Sequence, residues 1–220
     1  MMYVLSVLNL GRENVNVAET IELIKIIAKV IEDNKEYLTE LDTAIGDQDH
    51  GINLSKGFNA VVHKLGGDFA TPGDVIKTTA MTLISTVGGA SGPLYGTLFL
   101  KMSGLLTGDT ITLDDFCAGY EAGILGVKTR GKSEVGQKTM LDVHVPVLSS
   151  LQASSAAGMN AKEAFEQAVQ VAKSAYEASK DIAATKGRAS YLGERSIGHI
   201  DPGSMSSYLM IKATAEYLNR

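Results

Sequence analysis

The sequence predicts an all-α fold, built as an antiparallel up-and-down bundle of about eight helices. Apolar residues recur at three- and four-residue steps, as in Ile21, Ile24, Ile27 and Ile31, and charged residues fill the positions between them. No segment has the alternation of apolar and polar residues that indicates a half-buried strand. The connections between periodic segments are short, which favours antiparallel neighbours. Because no internal stretch is rich in proline, serine or charge, we expect one domain over residues 17–220.

Several predicted helices begin with a recognisable capping signal. Thr71 precedes Pro72 and is followed three residues later by Asp74, which is typical of a capping box with proline at the first helical position. The same pairing of a polar N-cap with an acidic residue three positions on recurs at residues 112–115 and 160–163. In chain order, the predicted helices cover about residues 21–33, 52–65, 72–87, 94–106, 113–129, 141–154, 161–185 and 204–218.

The composition excludes several classes of function. The chain has 220 residues, a formal charge of −5 at pH 7, and 45% hydrophobic against 20% charged residues. A net negative charge argues against a protein held mainly by nucleic-acid phosphates. The single cysteine, Cys117, excludes an internal disulfide framework and indicates a reducing compartment. Met1–Asn16 lacks the features of a secretory signal and no apolar run could span a bilayer, so we expect a cytoplasmic protein with a poorly ordered lead-in.

Four interhelical junctions are rich in glycine, aspartate, serine and basic residues. They lie at Asp42–Asn53, Val87–Gly96, Lys128–Thr139 and Thr185–Gly203, after the first, third, fifth and seventh predicted helices. In an up-and-down bundle, junctions separated by an even number of helices lie at the same end. The sequence therefore predicts a single ligand site at one end of the bundle.

The first junction contains three carboxylates, those of Asp42, Asp47 and Asp49. Carboxylates this close repel one another unless a cation lies among them, and hard oxygen ligands select Mg²⁺, Ca²⁺ or Mn²⁺. A calcium-binding EF-hand loop is excluded, because counting from Asp47 places Phe58 where that loop requires a bidentate acid. Three aspartates fit a Mg²⁺ site completed by phosphate oxygens and water. A solvated acidic turn is the alternative.

Two other junctions carry features that suit an anion. Gly88–Gly96 precedes a helix, and its small side chains would let backbone N–H groups approach a phosphate; a tight interhelical turn is the alternative. Arg188 and Arg195 offer forked donors suited to phosphate, unless their loop is merely a solvated surface loop. His50 adjoins the aspartates and is a candidate for a hydrogen bond to a ligand phosphate. The remaining histidines in helical segments, His63 and His144, and Cys117 are interpreted as structural.

Residues Gly126–Ser133 match the P-loop pattern letter for letter. That motif works only between a buried strand and a helix, and here a segment with helical spacing precedes it. We interpret the match as accidental with respect to the fold. Arg130 and Lys132 nevertheless remain candidates for phosphate contacts.

Together these motifs resemble the nucleotide-binding L subunit of the bacterial dihydroxyacetone kinases that depend on the phosphotransferase system. The resemblance covers nearly everything from about residue 34 onward and rests on GDQDHG, GGASGPLYGT, RGKSEVGQKTMLDV and KGRASYLGERSIGHIDPG. It implies an antiparallel eight-helix barrel that binds ADP or ATP at one end through two Mg²⁺ ions. It also implies a cytoplasmic phosphotransferase of glycerol metabolism.

The resemblance assigns roles to individual residues. It implies that Asp42, Asp47 and Asp49 hold the two Mg²⁺ ions, with no catalytic residue beyond the metal and phosphate ligands. Contacts to the nucleotide are implied for His50, Gly51, Ile52, Asn53, Ala90, Ser91, Gly131, Met140, Arg188, Asp201, Pro202 and Gly203.

The resemblance also implies partners. The γ-phosphoryl group would pass to dihydroxyacetone held on a K subunit, and bound ADP would be recharged by the M subunit, a phosphoprotein of the phosphotransferase system. Nucleic acid and membrane are not expected as partners, and a homodimer is left open. The alternatives are the nucleotide-binding half of an ATP-dependent small-molecule kinase, or a nucleotide-sensing module that binds a transcription factor.

Overall fold

The computed structural model describes residues 14–220, which form an α-helical bundle with one very small sheet. Strands β1 (Val15–Asn16) and β2 (Thr110–Ile111) pair antiparallel. The helices are α1 (Val17–Asp33), α2 (Lys35–Ile45), α3 (His50–Lys64), α4 (Pro72–Thr86), α5 (Ser91–Ser103), α6 (Leu113–Gly131), α7 (Leu141–Ala156), α8 (Ala161–Ala178) and α9 (Pro202–Leu218). Short 3₁₀ segments at Ser179–Asp181 and Arg188–Ser196 lie between α8 and α9.

The helices pack in a ring whose order follows the chain. Each helix from α3 to α9 packs against the next, α1 packs against α3, and α9 packs against α1. Helices α1 and α2 both lie along α3 and together occupy one place in the ring. The apolar faces meet in one large core, with Phe58, Leu141 and Leu151 fully buried. The prediction of an all-α antiparallel fold is confirmed, and this neighbour order is the one that an eight-helix barrel requires.

The structure differs from the prediction by one helix that was not predicted, α2, and at the ends of other helices. The first helix breaks at Asn34, whose side-chain amide donates to the Val30 carbonyl oxygen, and α2 then continues to residue 45. Helix α8 ends at Ala178 rather than near residue 185. There the Ser179 hydroxyl donates a hydrogen bond to the Tyr176 carbonyl oxygen, and a 3₁₀ turn follows. The two short strands were not predicted.

The expected lead-in, Met1–Asn16, lies largely outside the described residues. Of its last residues, Val15 and Asn16 form β1, and Asn16 also caps α1 through a reciprocal pair of hydrogen bonds with Glu19. These two residues belong to the folded domain. Within residues 14–220, no helix is both long and apolar enough to cross a membrane.

The two ends of the bundle differ, and we name them the cap end and the cavity end. The cap end holds the starts of α1, α4, α6 and α8, and each of these starts is a complete capping box. The cavity end holds the starts of α3, α5, α7 and α9, and only α9 has an N-cap side chain that accepts from its own helix. The N-cap residues of the cap end are Asn16, Thr71, Thr112 and Asn160.

Candidate metal and phosphate site

The four glycine-rich junctions meet around one cavity at the cavity end, as the sequence predicts. The cavity has a volume of about 680 Å³. Each junction contributes to its wall: Asp42, Asp47, Asp49 and His50 from the first; Gly89, Ala90, Ser91 and Tyr95 from the second; Lys138 and Thr139 from the third; Arg188, Tyr191 and Asp201 from the fourth. The convergence of these loops makes this cavity the candidate functional site.

The acidic cluster is held in place by the joint between α2 and α3. Asp42 lies on the last turns of α2, is buried, and accepts the backbone N–H groups of Asp49 and His50 at 2.9 and 3.1 Å. Gly46 is required beside it, because an added Cβ would lie 1.9 Å from the Asp42 Oδ1 atom. Gly51 lets α3 cross α2 closely, since its Cβ would lie 2.1 Å from the Lys35 carbonyl oxygen.

The three carboxylates of the cluster suit a divalent cation. Asp42, Asp47 and Asp49 each offer one oxygen, and these oxygens lie within 4.8 Å of one another. Partial burial raises the pKa of Asp49, and the negative charges of Asp47 and Asp42 raise it further. Arg188 offsets part of this charge, because its Nε donates to Asp47 Oδ2 at 2.7 Å. Hard carboxylate oxygens that repel one another fit Mg²⁺ or a similar cation.

The glycine-rich loop lies directly beside the acidic cluster. Gly89 adopts a positive φ of 64°, and a Cβ placed there would lie 3.8 Å from Asp49 Oδ2. Helix α5 then begins at Ser91, and its N-cap residue, Ala90, cannot cap the helix with a side chain. The first N–H groups of a helix carry partial positive charge and suit an anion. Donors for phosphate and carboxylates for its counter-ion therefore share one wall.

Lys138 is part of the cavity wall that the sequence analysis did not identify. Its side chain is almost completely buried, and its Nζ donates to the carbonyl oxygens of Ser179, Ile182 and His199 at 2.6, 3.1 and 2.6 Å. Burial lowers the pKa of this lysine. The three contacts tie the segment between α8 and α9, which carries Arg188, to the start of α7. No local sequence pattern marks a lysine for this role.

Asp201 combines a structural and an electrostatic role at the start of α9. Its Oδ2 accepts the backbone N–H of Ser204 at 2.6 Å, so it caps the helix. Burial raises the pKa of Asp201 to about 7, and the nearby charge of Asp142 adds to this shift. Asp201, Pro202, Gly203 and Met140 all line the cavity.

The predicted site residues divide into two groups in the structure. Those that line the cavity are Asp42, Asp47, Asp49, His50, Ala90, Ser91, Met140, Arg188, Asp201, Pro202 and Gly203. Gly51, Ile52, Asn53 and Gly131 lie nearby without lining it: the Asn53 side chain hydrogen-bonds Asp49, and Ile52 is half exposed. The role of each of these residues in binding stays a prediction.

The basic residues around the P-loop match lie away from the cavity wall. Residues 126–131 form the end of α6, so a helix and not a strand precedes the match, in agreement with the sequence analysis. Arg130, Lys132 and Arg195 do not line the cavity, and Arg188 does. Among these four residues, only Arg188 lines the cavity.

His50 is more enclosed than its sequence position suggests. Its Nδ1 lies 3.0 Å from the Ser91 hydroxyl and its Nε2 lies 2.9 Å from the Ser206 hydroxyl. Burial lowers the pKa of His50 to about 4, so the imidazole is neutral at pH 7. Both ring nitrogens already have protein partners.

Comparisons with known proteins show the family of this chain. The DAK2 domain family matches residues 44–216. The chain is 47% identical to the ADP-binding subunit DhaL of a PEP-dependent dihydroxyacetone kinase from Escherichia coli, over 82% of this chain and 87% of that protein. It is 46% identical to the corresponding subunit of dihydroxyacetone kinase 1 from Listeria innocua, over 83% of this chain and 87% of that protein.

A solved structure has the same fold. The dihydroxyacetone kinase from C. freundii, in complex with AMP-PNP and Mg²⁺, superimposes with a TM-score of 0.70 at 20% identity. The match covers 98% of this chain and 37% of the C. freundii chain, so this chain spans little more than a third of that enzyme. The chain therefore belongs to the DAK2 domain family, and its relatives in that family include ADP-binding subunits of dihydroxyacetone kinases.

Proposed function

We propose that this chain is the ADP- and ATP-binding phosphoryl-transfer subunit of a dihydroxyacetone kinase. It passes the γ-phosphoryl group of Mg·ATP to dihydroxyacetone held on a partner K subunit, and a phosphoprotein of the phosphotransferase system recharges its bound ADP. The observation that carries the proposal is the shared wall of the cavity, where an acidic cluster adjoins a glycine-rich helix start. The names of the relatives in Escherichia coli and Listeria innocua support it.

Asp42, Asp47 and Asp49 fit the two Mg²⁺ ions of the proposal. Their oxygens lie within 4.8 Å of one another, and the pKa of Asp49 is raised first by burial and then by the charges of Asp47 and Asp42, a repulsion that cations would relieve. Bound Mg²⁺ ions would neutralise phosphate charge during transfer, which is most of what phosphoryl transfer needs. The protein contributes by holding Asp42 in place: the backbone N–H groups of Asp49 and His50 donate to its carboxylate and so fix the position of the cluster.

The remaining wall residues would bind and orient the nucleotide. The start of α5 presents N–H groups of Ala90 and Ser91 beside the acidic cluster, and Arg188 offers a guanidinium within reach of it. Met140 and the turn of Asp201, Pro202 and Gly203 also line the cavity. The proposed nucleotide contacts are those of His50, Gly51, Ile52, Asn53, Ala90, Ser91, Gly131, Met140, Arg188, Asp201, Pro202 and Gly203.

The proposed acceptor lies on another subunit. The relatives named above are called subunits, and the C. freundii kinase is more than twice as long as its matched region. We therefore propose that acceptor activation resides on the K subunit and that the present chain supplies no general base. The open mouth of the cavity carries Tyr191, which is 84% exposed.

The first experiment is isothermal titration calorimetry of the purified chain with Mg·ADP, followed by reconstitution with K and M subunits. We expect Mg²⁺-dependent ADP binding and phosphorylation of dihydroxyacetone from phosphoenolpyruvate only when all components are present. Failure to bind Mg·ADP would refute the proposal, and turnover by the isolated chain would refute the need for a K subunit. Turnover from exchangeable ATP without the M subunit would instead favour an ATP-dependent kinase half.

A further inference from the structure

A line of buried hydrogen-bonding side chains runs from the cavity into the core. Starting at the cavity, it passes through Ser91, His50, Ser206, Tyr95, Ser207, His144 and Tyr120. These residues come from α3, α5, α6, α7 and α9, so the line crosses the bundle. The proposed function uses only its first members, although buried polar networks are costly unless every member is satisfied.

The deep end of the line fixes the direction of its first hydrogen bonds. Tyr120 is buried, and within residues 14–220 its hydroxyl has one hydrogen-bond partner, His144 Nδ1. If His144 donated from Nδ1, the hydroxyl proton of Tyr120 would be buried without an acceptor, which is costly. Tyr120 therefore donates to Nδ1. Burial lowers the pKa of His144 to about 3, so its single ring proton lies on Nε2 and is donated to Ser207 Oγ at 2.9 Å.

The middle of the line can continue in the same direction. Ser207 has two acceptors for its proton, the Gly203 carbonyl oxygen at 2.7 Å and the Tyr95 hydroxyl oxygen at 2.8 Å. The line uses the second acceptor, and Tyr95 then donates to Ser206 Oγ at 2.7 Å, which is shorter than its 3.1 Å contact to the Gly203 carbonyl oxygen. Ser206 can then donate to His50 Nε2 at 2.9 Å, which is shorter than its 3.2 Å contact to Gly203.

The cavity end of the line is where the direction matters. An imidazole that accepts a hydrogen bond at Nε2 carries its ring proton on Nδ1, so His50 then donates to Ser91 Oγ at 3.0 Å. The Ser91 hydroxyl proton is then turned away from His50 and is available to a group in the cavity. In the opposite direction, Ser91 would donate to His50 and present only lone pairs to the cavity, which a phosphate oxygen would repel.

We propose that the seven side chains form a polarised donor relay, from Tyr120 to Ser91, which holds the Ser91 hydroxyl as a hydrogen-bond donor to phosphate. The assignment of the cavity as a phosphate site rests on the proposed function, but the direction of the relay does not. Hydrogen bonds in a chain polarise and strengthen one another, so the relay also makes Ser91 a better donor. Tyr120 and His144 are thus positioning residues that act on a ligand they do not touch.

The direct test is the tautomer of each histidine, measured by long-range ¹H–¹⁵N correlation spectra of ¹⁵N-histidine-labelled full-length protein without nucleotide. Signals are assigned by their loss in single His→Gln variants. The relay requires the Nε2–H tautomer for His144 and the Nδ1–H tautomer for His50. A His50 proton on Nε2 would overturn it, whether or not the protein binds ADP.

A second measurement tests the consequence for the ligand. Tyr120→Phe removes the first donor and keeps the ring, and we expect Mg·ADP to bind about two- to tenfold more weakly. The control is Tyr217→Phe, a buried tyrosine on the last turn of α9, outside the relay. If both variants and the wild type bind Mg·ADP equally well, the relay does not act on the ligand. If the wild type does not bind Mg·ADP at all, the proposed function is refuted instead.

Discussion

The two ends of the bundle are built from the same helices but satisfy their backbone groups differently. At the cap end, four N-termini are closed by reciprocal side-chain bonds, such as those between Thr71 and Asp74. At the cavity end, the N-cap residues of α3, α5 and α7, which are Asp49, Ala90 and Met140, make no such bond. Capping contributes to helix stability, whereas an uncapped helix start keeps donors available for an anion. The fold thus places its local stabilisation and its binding groups at opposite ends.

Loss of a carboxylate at the cavity end should have the largest effect on binding. Asp47 is exposed, and among residues 14–220 it pairs with Arg188 alone, so Asp47→Ala should leave the fold intact. We expect the affinity for Mg·ADP to fall by at least about tenfold. Loss of a group that only hydrogen-bonds to a metal ligand already weakens metal binding by about 10- to 100-fold. Calorimetry gives the affinity, and circular dichroism checks the helical content.

The matched control for this change is an exposed aspartate at the other end of the molecule. Asp109 lies in the turn before β2, near the start of α6. Asp109→Ala should bind Mg·ADP as the wild type does. If the two variants lost affinity equally, the acidic cluster would not be the metal site.

Removal of the guanidinium at the cavity should have the next largest effect. Arg188 contacts Asp47 from the fourth junction, and we expect Arg188→Gln to weaken Mg·ADP binding by about tenfold, the value of a hydrogen bond to a charged group. Its control, Arg195→Gln, changes an exposed arginine of the same loop that does not line the cavity. Mg²⁺ titrated without nucleotide should bind the Arg188 variant at least as tightly as the wild type, because a competing positive charge is gone. Equal losses for both arginine variants would assign the effect to the net charge of the loop.

The sequence predicts features whose cause is local. The capping box at Thr71 follows from residues three positions apart, and the acidic cluster follows from three aspartates within one junction. The convergence of four junctions follows from counting antiparallel helices, which tolerates an error in any single helix boundary. These features depend on short-range chemistry or on topology.

Features that depend on contacts between distant segments could not be predicted. The Tyr95 hydroxyl contacts Ser206 and Ser207, more than one hundred positions away, and nothing in either segment points to the other. Lys138 looks like a surface lysine in sequence, and only the fold gives it three carbonyl partners. The sequence suggests a structural role for His144, and its hydrogen bonds to Tyr120 and Ser207 become visible only in the packed structure.

A change at the cap end should affect stability and leave binding unchanged. Thr71→Ala removes the side-chain acceptor for the Asp74 N–H, which costs about 1 kcal/mol, or roughly 2–4 °C in Tm for a protein of this size. Thermal unfolding followed by circular dichroism measures the loss. The affinity for Mg·ADP, measured below the melting transition, should be unaltered. A parallel loss of affinity would show that the two ends are not independent.

The last expected effect is on the pH dependence of stability and concerns the one capped helix start at the cavity end. The pKa of Asp201 is raised to about 7, from an ordinary value near 4, chiefly by burial. Between these two values the folded protein keeps a proton that the unfolded chain loses, so the free energy of unfolding falls as the pH rises from about 4 to 7. Asp201→Asn keeps the acceptor for the Ser204 N–H and removes this titration.

The variant should therefore match the wild type in Tm near pH 4 and exceed it near pH 8, by an amount that a pKa shift from near 4 to about 7 limits to about 4 kcal/mol. Thermal unfolding of both proteins without nucleotide, at several pH values, measures the difference. A difference that shrinks or reverses as the pH rises would show that Asp201 is ionised at little cost in the folded state. In that case the cavity end would already supply the positive charge that an anionic carboxylate needs, and the contrast between the two ends would be one of capping alone.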